Sequence, residues 1–194
     1  MAGLYTPETG VGYGRRPFWE VDMLMTAKIE TVDALFIHDL QNICSAEEQL
    51  LRTLTTMAVA ADIPELRAGI ARHLTQTHQH LRRVRQALNE IGEAPNGEVC
   101  WGIKELIDEA EKIMSSTSFG PVLDSALIDA ARKMQQYKIA SYRAIIARAY
   151  ELGLKDVASL LEWNLQEDEL TDYRLRQLAE GLIPADRSGP DPQQ

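Results

Sequence analysis

Between Thr31 and Leu182 apolar residues return every three or four positions, or at multiples of that step, as one buried helical face requires. This spacing predicts four long helices. The first, residues 31–61, takes Thr31 as its N-cap and turns Phe36, Leu40, Ile43, Leu51 and Leu54 inward. The second, residues 64–92, opens on Pro64, whose missing N–H costs nothing in a first turn, and closes near Gly92. Ile70, Leu74, Leu81, Val84 and Leu88 form its inner stripe. The third, residues 121–152, uses Leu127, Met134, Ser141 and Ile145 and stops before Gly153. The fourth, residues 155–181, uses Val157, Leu161, Leu165, Leu175 and Leu178. No stretch sustains a period of two, so no strand is predicted.

The connections decide how such helices pack. A few residues around Asp62 join the first to the second, and a few around Gly153 join the third to the fourth. Links that short force antiparallel neighbours. About thirty residues separate the second from the third, enough to cross a bundle, and Trp101 to Met114 reads as a short fifth helix inside that link. Two antiparallel hairpins and one long crossover predict an all-α, ferritin-like four-helix bundle. A helical repeat would need a fixed period of about 34 to 47 residues, which the chain lacks. The bundle domain spans residues 31–182. Residues 1–30 read as an N-terminal extension, glycine-rich at first and carrying Tyr5, Tyr13, Phe18 and Trp19 for docking on the domain or a partner subunit. Residues 183–194, with three prolines, read as a disordered tail.

Composition narrows the class. The 194 residues are 45% hydrophobic and 25% charged, enough apolar matter for one core. A net charge of −9 opposes a duplex nucleic-acid binder and adsorption to an anionic membrane, both of which need a cationic face. Cys44 and Cys100 are too few for a disulfide framework and indicate a reducing compartment. Arg15 and Arg16 precede Glu20 and Asp22 where an export signal needs an apolar region, so the expected location is the cytoplasm. Gly10, Gly12 and Gly14 follow no strand and make no phosphate loop.

Polar breaks in the inner stripes carry the candidate chemistry. Glu47 completes the series Leu40, Ile43, Leu51, Leu54 on the first helix. On the second, His73, Thr77 and His80 share a face with Gln76 beside it, while His78 lies off it. On the fourth, Asp168 and Asp172 continue the line of Leu161 and Leu165. Carboxylates and histidines from four facing helices are the ligands that hold two iron or manganese ions in such bundles. The third helix offers Lys138 at the matching place, between Met134 and Ser141.

The segments Phe36-Ile-His-Asp-Leu40, Ser45-Ala-Glu-Glu-Gln-Leu-Leu51, His73-Leu-Thr-Gln-Thr-His-Gln-His80, Cys100 followed by Glu105-Leu-Ile107, Ala126-Leu-Ile-Asp-Ala-Ala131, Tyr137-Lys-Ile-Ala-Ser-Tyr142, Glu167-Asp168 and Thr171-Asp172 occur in one order. In that order the chain resembles the YciE/YciF family of bacterial stress-associated ferritin-like proteins, from about Thr31 to Leu178. The resemblance implies a dimeric bundle able to hold a di-iron centre, with Glu47, the Gln76/His80 pair, Asp168 and Asp172 matching the motifs that line it. The family pattern Glu-His-Tyr-Glu is replaced by Gln135-Gln136-Tyr137-Lys138, so both carboxylates of the third helix are missing and one position has become a cation. Two functions follow as expectations. One is a non-enzymatic homodimer for structure or interaction, with little or no metal. The other is an iron or manganese carboxylate protein with oxidase or iron-handling activity at a reduced site.

Overall fold

The computed structural model describes residues 28–182. Five helices follow in order, with no strand among the described residues: α1 (Val32–Ala60), α2 (Pro64–Glu90), α3 (Trp101–Ser116), α4 (Pro121–Glu151) and α5 (Lys155–Leu182). They are the four long helices and the short crossover helix that the spacing predicts. The expectations for residues 1–27 and 183–194 lie outside the described residues.

Local chemistry sets the ends. Thr31 Oγ1 accepts the N–H of Ala34 at 3.1 Å and starts α1. Pro64 and Pro121 sit in the first turns of α2 and α4. Gly92 and Gly153 take φ of 77° and 76°, and the chain turns back so that Glu93 N–H reaches Leu88 O and Leu154 N–H reaches Ala149 O. That left-handed cap is cheap only for glycine. The α1–α2 turn is tied down from α4, because the buried Asp124 accepts the N–H groups of Asp62 and Ile63 at 2.8 and 3.1 Å.

Cross-helix pairs give the packing order. Glu48 meets Arg85 and Glu47 meets His80 between α1 and α2, while His80 meets Glu167 and Arg83 meets Asn164 between α2 and α5. Gln135 meets Asp168 and Arg132 meets Asp172 between α4 and α5, and Asp39 meets Arg148 and Glu47 meets Tyr142 between α1 and α4. Within the α2–α5, α4–α5 and α1–α4 sets one number rises as the other falls. α1 and α2 turn back on each other through the short link at 61–63, with Gln41 in the first half of α1 donating to Ala94 O just past the end of α2. Each long helix is therefore antiparallel to both neighbours. The crossover carries α3 over α1 and α4, where it buries Ile103, Ile107 and Ala110. Cys100 pins its start: its N–H donates to Ser45 Oγ at 3.1 Å, its carbonyl accepts from Gln49, and its Sγ lies 3.1 Å from Tyr137 Oη. Gly102 must stay small here, since a β-carbon on it would lie 2.6 Å from the Tyr137 ring.

Five predicted stripe positions are only half-buried: Leu51, Leu74 and Leu178 at the edges of the core, and two nearer its centre. On α4 the buried residue is Tyr142, and Ser141 is half-buried with its hydroxyl on Tyr137 O. On α5 the buried residue is Asn164, and Leu165 is half-buried. In both cases the buried face is rotated by one residue, and polar side chains occupy it where the four helices meet.

Candidate functional site

The centre of the bundle is polar. Glu47 from α1, His73, Thr77 and His80 from α2, Gln135, Lys138 and Tyr142 from α4, and Asn164, Asp168 and Thr171 from α5 are all buried. Each stands where its helix would otherwise place an aliphatic residue: Leu161, Asn164, Asp168, Thr171 and Leu175 step by three and four along one face.

Lys138 is the hub. Its Nζ lies 2.9 Å from Asp168 Oδ1, 3.0 Å from Glu47 Oε1 and 3.3 Å from His80 Nδ1. An ammonium has three protons to donate, and here it has three acceptors. His80 can accept at Nδ1 because its Nε2 faces Glu167 Oε2 at 2.8 Å, which favours the tautomer with hydrogen on Nε2. Glu167 is held in turn by Arg83, whose Nη1 lies 2.9 Å from Glu167 Oε2 and 2.9 Å from Asn164 Oδ1. Tyr142 donates to Glu47 Oε1 at 2.6 Å and accepts from Asn164 at 3.0 Å.

Burial and charge oppose each other here. Burial alone would push the Glu47 carboxyl up, but the Lys138 ammonium and His80 hold it at about 2. Burial raises Asp168 above the usual carboxylate range, and the pull of Lys138 and His80 offsets this only in part. Burial would strip the proton from Lys138, yet Asp168 and Glu47 raise its pKa above that of a free lysine. His73 goes the other way: burial, then the Lys138 charge, push it down to about 3, so its imidazole is neutral. Burial and the adjacent Glu47 and Asp168 carboxyls drive the Tyr142 phenol well above its ordinary value. The Glu167 carboxyl sits below the usual range, since Arg83 and His80 outweigh its partial desolvation.

Of the residues expected to line a metal centre, Glu47, His80 and Asp168 are brought together. One ligand atom from each lies within 4.8 Å of the others, a grouping that could hold a metal ion. Gln76 is not brought in: it is half-buried and its Oε1 accepts from Thr171 Oγ1 at 3.1 Å. Asp172 is not brought in either, because its carboxylate turns outward to Arg132 Nε at 3.1 Å. The line Leu165, Asp168, Asp172 and the line Asn164, Asp168, Thr171 have the same helical spacing, and the second is the buried one. Arg83, Tyr142, Asn164 and Glu167 belong to the site without being expected there. The three-and-four step from Leu161 through Asn164 and Thr171 was the available signal for Asn164.

A di-iron centre can be tested against these atoms. The oxygens of Glu47 and Asp168 and the nitrogen of His80 that would coordinate an ion all converge on the Lys138 ammonium. No acidic side chain from α4 enters this polar group: Gln135 and Lys138 stand there instead. A divalent ion would share this space with a fixed positive charge, which raises its energy steeply in a low-dielectric interior. The residues present do not fit the two-metal group.

Comparison with known proteins agrees with this fold. The family model described as a domain of unknown function, DUF892, matches residues 31–187. The protein YciF of Escherichia coli strain K12 is 36% identical over 152 residues, covering 78% of this chain and 92% of YciF. The crystal structure of the E. coli stress protein YciF superposes with a TM-score of 0.77 at 35% identity, over 79% of this chain and 98% of that one. YcfI of Rhodopseudomonas palustris gives 0.76 at 32% identity, over 78% and 97%. A protein of Xanthomonas campestris gives 0.65 at 20% identity, over 78% and 93%, and shares the fold alone. With the family model spanning all five described helices, this chain belongs to the DUF892 family, the family of YciF-like proteins.

Proposed function

We propose that this protein is a non-enzymatic, homodimeric member of its family, a ferritin-like bundle that serves structure or interaction under stress rather than metal chemistry. One observation carries the reading: the Lys138 ammonium lies within 3.0 Å of Glu47 and Asp168 and takes the place of the cation they would otherwise bind. The antiparallel order of the four long helices and the crossover between α2 and α4 support the ferritin-like assignment. The stress association comes from the relative YciF, a stress protein of E. coli. No described helix is long and apolar enough to cross a membrane. The cytoplasm, with residues 1–30 as an extension outside the bundle, remains the reading for location and organisation.

The second reading is an iron or manganese protein with a reduced site. The converging Glu47, His80 and Asp168 favour it, as do Glu47 Oε2, Asp168 Oδ2, Gln135 Oε1 and His73 Nε2, which are buried without a hydrogen-bond partner. Metal analysis of protein purified from cells supplemented with iron and manganese separates the two. Well under one ion per chain is expected, and one ion or more per chain overturns the proposal. Light scattering at micromolar concentration should return twice the 21.8 kDa chain mass, and the monomer mass removes the dimer from it.

A further inference from the structure

The contacts that make Lys138 a resident cation also hold an amine against a carboxyl group in a dry site. Nζ is 2.9 Å from Asp168 Oδ1, a second carboxylate (Glu47) is 3.0 Å away, and all three side chains are fully buried. In bulk water an amine and a carboxylate do not condense, because they must first meet and because water reverses the reaction. Here the first obstacle is removed because the fold holds the amine in fixed contact with its partner. Burial weakens the second by keeping the released water away from the amide.

We propose that Lys138 and Asp168 join through an intramolecular amide bond, with Glu47 carrying the protons. The inference rests on reading Lys138, and not a metal, as the occupant of the centre. The resting pair keeps its proton on Nζ, so the reacting form is the minor one in which Glu47 Oε1, 3.0 Å away, has taken a proton from the ammonium; the freed Nζ lone pair then attacks Asp168 Cγ. Charge gathers on Oδ1, where Gln135 Nε2 already donates at 3.1 Å. Oδ2 has no hydrogen-bond partner among the described residues and is the oxygen free to leave. Of the three ammonium protons one stays on the amide nitrogen. The other two pass through Glu47 to Oδ2, which departs as water, and the Glu47 carboxylate is regenerated. No oxidant or cofactor is needed. Tyr142, 2.6 Å from Glu47 Oε1, and Asn164 behind it keep that carboxylate aimed at Nζ. The product is a covalent tie between α4 and α5, at the level where a pair of metal ions would otherwise bridge the helices.

The test is the intact mass of the denatured full-length protein after incubation at neutral pH, with metal content measured on the same sample. The expected mass is that of the sequence less one water, with a branched peptide joining Lys138 to Asp168 after proteolysis. Lys138→Arg should keep the full mass, and Glu47→Gln should form the bond about a hundredfold more slowly, as loss of a proton carrier predicts. The wild-type measurement decides the matter even where a variant does not fold. A wild-type chain at full mass, or a missing water located at another residue, overturns the bond. Full mass without metal leaves Lys138 as an ionic occupant, whereas one ion or more per chain overturns both readings.

Discussion

Replacing Lys138 by methionine keeps the length of the side chain and deletes its charge. The loss can be worked for the ionic form of the centre. Glu47 is held at about 2 against an ordinary 4.5, so the folded environment favours its charged form by about 3 kcal/mol. Lys138 is the largest favourable cause, and without it burial pushes both Glu47 and Asp168 toward the protonated state. Breaking a buried pair by removing one partner costs about 3–5 kcal/mol, which agrees. For a domain of this size that is a fall in Tm on the order of 10 °C, read by circular dichroism at pH 7. The pH dependence identifies the cause. In the wild type the depressed Glu47 contributes stability that is fully present above its unfolded pKa and is lost as pH falls toward about 2. In Lys138→Met the carboxyl is raised instead, so its contribution is lost as pH rises through the folded value. The gap between the two proteins should therefore narrow as pH falls from 7 toward 4.5. An unchanged Tm means that the lysine does not sit among these carboxylates. A gap that ignores pH means that packing, and not charge, was lost.

Lys138→Glu should destabilise by a similar amount in metal-free buffer and regain its Tm with ferrous or manganous ions, since it returns a carboxylate to α4; no shift on adding either ion refutes this. Asp124→Ala leaves the N–H groups of Asp62 and Ile63 without their buried acceptor and should cost about 1–3 kcal/mol in urea unfolding. Tyr142→Phe removes the 2.6 Å hydrogen bond to Glu47 and should cost about 1–3 kcal/mol. By ultraviolet titration the wild type should also show one more phenol that resists ionisation until the chain unfolds than this variant does, Tyr137 being shared by both.

The helices were legible because their ends and faces are local properties. Pro64, Pro121, Gly92 and Gly153 mark boundaries by steric rules that act within a turn, and Leu, Ile and Val at three-and-four spacing mark the faces. Glu47, His80 and Asp168 were legible as polar interruptions of those faces. Asp172 and Gln76 were not separable from them, because a helix tolerates two adjacent stripes and only the partner helices choose between them. Tyr142 replaced Ser141 for the same reason. Arg83 and Glu167 left no trace in local spacing at all: their pairing joins positions 84 apart, through the packing of α2 on α5.

The attachment of α3 has a kinetic consequence. Its sixteen residues bury only three side chains on the bundle, and its start is fixed by the hydrogen bonds of Cys100 and the close passage of Gly102 under Tyr137. An element with so little buried surface should detach well before the long helices separate. The two thiols then report on different motions. Cys44 lies within α1, and burial, followed by the nearby Glu48, pushes its pKa up to about 11, so it should react with a thiol reagent only on global unfolding. Cys100 should be labelled through release of the crossover alone, at a rate that low urea hardly changes. Equal labelling rates for both cysteines would show that the crossover and the bundle open as one unit.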